Sequence, residues 1–132
     1  MKDVFRLETD LEGARRLLIL SSAGDWLGFD WDDRSDTCWM SLDDLARLFD
    51  SDAETVAKVI FDVFMGGELD ASTSCFHRDG VLYHNFKVMI AAGFALPGRL
   101  GARLRNEAIT LATAPENIGE AIAILSGADR DK

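Results

Sequence analysis

Residues 39–69, WMSLDDLARLFDSDAETVAKVIFDVFMGGEL, decide the fold. Ser41 and Asp44 have capping-box spacing, in which a hydroxyl meets a free amide of the first turn and a carboxylate reaches back. Leu42, Leu45, Ala46 and Phe49 then follow helical spacing. Asp50-Ser51-Asp52 interrupts the pattern, and Ser51 with Glu54 repeats the cap spacing. Val56, Val59, Ile60, Val63 and Phe64 form a second apolar stripe that Gly66-Gly67 ends. Two helices around a tight break are the core of a helix-turn-helix.

Toward the C-terminus, residues 73–78 and 81–84 flank Asp79-Gly80, the strongest short hairpin signal. Asn85 is placed to cap an apolar helix over 86–95 carrying Val88, Met89, Ile90 and Phe94. Leu96-Pro97-Gly98 breaks the chain before a helix over about 99–112 with Arg99, Arg103 and Arg105. Thr113 with Glu116 opens a last helix through Leu125. Toward the N-terminus, 3–8 alternate as a short strand. Thr9 with Glu12, followed by Leu11, Ala14, Leu18 and Ile19, predicts a helix up to Gly24, with a hairpin of 4–8 and 15–21 as the alternative. Trp26–Trp31 and Thr37–Met40 read as two short strands around a polar loop. The expected fold is α+β and mostly helical, a single domain over 1–132 with a wing-like hairpin. Its core is expected to include Leu45, Phe49, Val56, Val59, Ile60, Val63, Phe64, Met89, Ile90 and Phe94.

The order and wording of residues 39–108 resemble the RhuM family of bacterial virulence-associated and phage-associated proteins. Trp39-Met40-Ser41 runs into Leu45-Ala46-Arg47-Leu48-Phe49, the second helix exits on Gly67-Glu68-Leu69, and Tyr83-His84-Asn85-Phe86 leads to Met89-Ile90-Ala91-Ala92-Gly93-Phe94. The family's usual Phe-Arg-x-Trp-Ala turn is here Leu104-Arg105-Asn106-Glu107-Ala108, without the aromatic pair. The resemblance implies a helix-turn-helix with DNA binding or mobile-element regulation as its presumed role.

The charge argues against a simple DNA reader. Residues 25–70 carry 13 Asp and Glu against Arg34, Arg47 and Lys58, a local net of −10 in a chain of net −9. Phosphate recognition needs the opposite sign. The second helix would show Asp52, Ala53, Glu54, Thr55, Lys58 and Asp62 to a groove, of which Thr55 and Lys58 alone suit base contacts. A basic route to DNA would add Arg78 on the hairpin and Arg99, Arg103 and Arg105. An acidic surface suits a basic partner protein better and speeds encounter with it. Its contact residues are expected among Asp30, Asp32, Asp33, Asp36, Asp43, Asp44, Asp50 and Asp52. Trp31 serves as anchor, or Trp26 or Trp39 in its place. The competing reading makes those carboxylates caps and those rings core.

No catalytic set, metal site or cofactor motif is expected. Cys75-x-His77 with His84 matches no common zinc spacing, and Asp30-x-Asp32-Asp33 lacks the Gly and Glu of a calcium loop. Cys38 and Cys75 read as free, buried thiols. No stretch approaches the roughly 18 apolar residues of a membrane span, and Met1-Lys2-Asp3 opens no signal peptide, so a cytoplasmic protein is expected. The function expected is non-enzymatic regulation or inhibition through a protein partner. DNA-binding regulation is the alternative, and apolar residues at 86–94 and 118–125 leave a homodimer open.

Overall fold

The computed structural model describes residues 4–67 and 69–106. The expected helix over 113–125 therefore lies outside the described residues. In chain order the elements are β1 (Phe5–Thr9), β2 (Arg15–Leu20), β3 (Trp26–Asp32), β4 (Thr37–Cys38) and β5 (Met40–Ser41). There follow α1 (Leu42–Phe49), α2 (Ala53–Met65), α3 (Ala71–Ser74), β6 (Cys75–Arg78), β7 (Val81–His84), α4 (Phe86–Gly93) and α5 (Arg99–Asn106). The strands make two antiparallel sheets, β1-β2-β3-β4 and β5-β7-β6.

The expectation of a mostly helical fold is corrected. Helices take about 40% and strands about 29% of the described residues, so the fold is a mixed α+β one. The largest change is at residues 11–24, where the helix gives way to the hairpin partner β2. Asp10 accepts from the amides of Glu12 at 2.9 Å and Ala14 at 3.0 Å, turning the chain where Thr9 and Glu12 would have capped a helix. Leu17 and Ile19 then alternate into the core while β1 and β3 pair on both sides. A strand with two neighbours satisfies its backbone groups along both edges.

Local capping explains the rest. Ser41 and Asp44 form the expected reciprocal box, at 3.1 and 3.0 Å. The cap of α2 is Asp52, not Ser51: its carboxylate accepts the Thr55 amide at 2.6 Å. Asp79 and Gly80 both have positive φ, 52° and 79°, the turn that fits a two-residue hairpin. The resulting hairpin gains β5 as a third strand through Met40↔His84 and Ser41↔Tyr83. Asn85 caps α4 through the Val88 amide at 3.1 Å.

One apolar cluster joins the inner face of the larger sheet (Phe5, Leu17, Ile19, Trp31) to α1, α4 and α5 (Leu45, Phe49, Met89, Leu100, Leu104). Phe5 meets Phe86 edge-on at 5.7 Å. Of the expected core, Leu45, Phe49, Val56, Ile60 and Met89 are buried, and Val59, Val63, Phe64 and Ile90 are half-buried. Phe94 is 40% exposed, because α4 ends one residue earlier and the chain turns away.

Candidate aromatic and acidic cleft

The chain leaves the first sheet at Cys38 and enters the second at Met40, so Trp39 sits at the junction of both. Its indole N–H donates to Asp32 Oδ2 at 3.0 Å. Asp32 Oδ1 also accepts the amides of Arg34 and Ser35, at 3.0 and 3.4 Å. The Trp39 bond is the main cause that holds the Asp32 carboxyl below the usual range, against a smaller opposing effect of burial. The ring meets Phe76 edge-on at 4.6 Å, and Phe76 stacks on Tyr83 at 5.4 Å. Phe76 and Tyr83 are cross-strand partners in the hairpin, so register alone puts them on one face.

These rings wall an open cleft of about 930 Å3 between the sheets. Of the residues expected to meet a partner, Asp30, Trp31, Asp32 and Asp44 line it together. Asp33 lies outside, paired with Arg15, which donates to it from Nε at 3.1 Å and from Nη2. Asp36 holds a positive φ of 53° in the β3–β4 loop. Asp50 ends α1 in the left-handed region, and Asp52 caps α2 with its carboxyl pulled low mainly by the Thr55 amide. Asp43 stands exposed in the first turn of α1 and lines a different groove. Several carboxylates are thus caps, as the competing reading held, and of the three that share the cleft Asp44 is also the capping-box partner of Ser41.

Trp31 is only 6% exposed, and its indole N–H meets no protein acceptor among the described residues. Arg15 lies over this ring at 5.8 Å, and Arg6 over Trp26 at 4.5 Å. Trp39 carries no such cation among the described residues. Phe76, Tyr83 and Phe29 were absent from the sequence-derived site. Alternation along 75–78 and 81–84 about the Asp79-Gly80 turn was the signal that would have found the first two.

The basic residues of the alternative site fall on different elements, and those that line hollows line different ones. Thr55 and Lys58 are exposed on α2, beside Glu54. Arg78 stands at the cleft with Arg34. Arg99 and Arg103 line a small hollow with Val4, Leu20 and Leu100. Arg105 donates to the carbonyls of Gly93 at 3.3 Å and Leu96 at 2.8 Å, closing the end of α4.

Of the two thiols expected to be buried, Cys38 is buried, whereas Cys75 is half-buried at the edge strand β6 and lines the cleft. Burial pushes the Cys38 thiol up to about 12, and raises Cys75 as well. His84 is buried, donates from Nδ1 to the Met40 carbonyl at 3.1 Å, and is held below its ordinary value chiefly by desolvation. Among the described residues no three His, Cys, Asp or Glu converge on a metal position. Nor is any helix there long and apolar enough to cross a membrane.

Fold and cleft together define a small mixed α+β protein with a concave, aromatic-walled cleft. No protein-family model matches the chain, no curated protein matches it, and no solved structure matches it.

Proposed function

We propose that this protein is a non-enzymatic regulatory or inhibitory binding protein that receives basic side chains of a protein partner in the Trp39 cleft. One observation carries the reading: Trp39 faces a cleft that also holds Asp30, Asp32 and Asp44, while the other two tryptophans already hold an arginine. A guanidinium or ammonium over an indole gains about 0.5–2 kcal/mol, and more as water is excluded. Arg34 and Arg78 at the mouth oppose a bare cation and favour a cationic side chain on a segment with its own carboxylates. The RhuM-like wording of residues 39–108 supports a regulatory role within this reading.

Duplex binding is the weaker alternative. The outer side of α2 carries Glu54 and Asp62, and Arg105 is committed to α4. The deciding experiment is capture from a bacterial lysate with nuclease washing, comparing the native chain with Asp30→Lys and Trp39→Leu. A protein retained by the native chain and lost with both variants, each still folded by circular dichroism, supports the cleft. Retention of nucleic acid alone, lost on nuclease treatment, gives the function to DNA.

A further inference from the structure

One edge of β3 is covered only in part. Leu20 donates its backbone N–H to the Val4 carbonyl at 2.8 Å, on the β1 side of β2. By alternation, Leu17 and Ile19 turn their backbone groups the other way, to Phe29 and Leu27 of β3. Gly28 and Asp30 therefore turn theirs to the far edge of β3. There β4 pairs only with Trp31 and Asp32, and the chain then leaves for the second sheet at Trp39. The amide and carbonyl of Gly28 and the amide of Asp30 thus face no strand among the described residues.

The space they face is the cleft. Residues 28–32 line it without a gap, as a strand does at its edge, whereas across a face only alternate residues would. A glycine inside a strand often marks the close approach of another backbone. At Gly28 the Arg16 guanidinium lies 2.6–2.8 Å from where a Cβ would stand. Trp31, which also lines the cleft, has a buried indole N–H, the one buried side-chain donor without an acceptor among the described residues. An open ladder of backbone groups is met by another extended backbone, because a strand repeats its own donors and acceptors at the same spacing.

We propose that the cleft takes an extended segment of the partner protein, which adds to β3 as a strand in line with β4, opposite Gly28 and Asp30. The inference rests on the reading of the cleft as a protein-binding site and names the form in which the partner enters it. Every second side chain of such a strand falls on the face of β3 that carries Asp30 and Asp32, where the partner's basic side chains are received. Trp39, Phe76 and Tyr83 wall the cleft on its hairpin side, so a lone strand can enter where the body of a second folded sheet would meet the rings.

The test adds to the full chain a synthetic peptide of about eight residues, alternating Thr and Val with two Arg among the Thr positions. Two isomers carry N-methyl groups on alternate amides, one on each edge of the peptide. Amide exchange by NMR should slow by about tenfold or more at Gly28 and Asp30 when the parent peptide binds. One methylated isomer should bind about tenfold more weakly, and the other as the parent does, since a strand bonds along one edge only. Equal binding of the two isomers would overturn the proposal, as would a parent peptide that leaves both amides unprotected. Replacing the peptide's Arg by Gln separates the two readings. Unchanged affinity with protection intact keeps the strand and removes the basic side chain. Arginine-dependent shifts at Trp39 with equal isomers keep the cleft and remove the strand. Protection present without peptide would also overturn the proposal. It would give the edge to a second copy where it rises with protein concentration, and to the chain's own residues 107–132 where it does not.

Discussion

Replacing Gly101 by Ala tests the seat of α5, and with it the placement of every arginine from 99 to 105. A Cβ there would lie 2.2 Å from the Leu96 carbonyl oxygen and 3.0 Å from that of Gly93. Ordinary carbon–oxygen contact begins near about 3.3 Å, so α5 must retreat by roughly 1 Å. Both obstacles are backbone atoms, which cannot swing aside. Overpacking of this kind costs about 1–3 kcal/mol. Retreat also stretches the Arg105 bonds to the same two carbonyls, and bonds from a charged donor contribute about 1.5–3 kcal/mol. Helix propensity opposes these losses, since Ala is favoured over Gly by about 1 kcal/mol. The expected net is a loss of about 2 kcal/mol. Urea unfolding at 25 °C should show this as a midpoint lowered by about 1 M at a slope near 2 kcal/mol/M, with the slope unchanged. A midpoint equal to or above that of the native chain would mean that propensity acts alone, and that α5 does not rest on the end of α4.

Three further outcomes are expected. Thr37 Oγ1 accepts the buried Phe86 amide at 3.0 Å, so Thr37→Val should cost about 1–3 kcal/mol in the same urea assay, and an unchanged midpoint would refute the bond. His84 has a lowered folded value, so below the unfolded value of about 6.5 the unfolded chain binds more protons. Its contribution is therefore complete above that pH and is lost as the pH falls toward the folded value. Stability measured from pH 7 to 5 should decline in the native chain and decline less steeply in His84→Leu, and parallel slopes would remove His84 as the cause. A thiol reagent at pH 8 should label Cys75 slowly and Cys38 only on unfolding, because Cys38 is fully buried with its thiol near 12. Prompt labelling of both in the native state would contradict that burial.

What the sequence determined by itself was local. Ser41 with Asp44, Asn85, the Gly66 exit and the Asp79-Gly80 turn are each settled by groups within four residues, and the structure has each where the spacing placed it. Tertiary structure decided what depends on distant partners. Residues 15–20 carry leucines compatible with either period, and β1 and β3 pairing on both edges made them a strand. At the start of α2 the spacing offered Ser51 with Glu54, and the helix begins one residue later, with Asp52 taking the Thr55 amide. The cleft was half legible. Asp30, Trp31, Asp32 and Asp44 were singled out from charge and ring type, but nothing local says that Trp39 bridges two sheets or that the hairpin brings Phe76 and Tyr83 beside it. The exposed side of α2 was hidden for the same reason. A helical stripe tells which residues are apolar, while the elements packed around α2 decide that Val56 and Ile60 are covered and that Phe61 and Met65 are not.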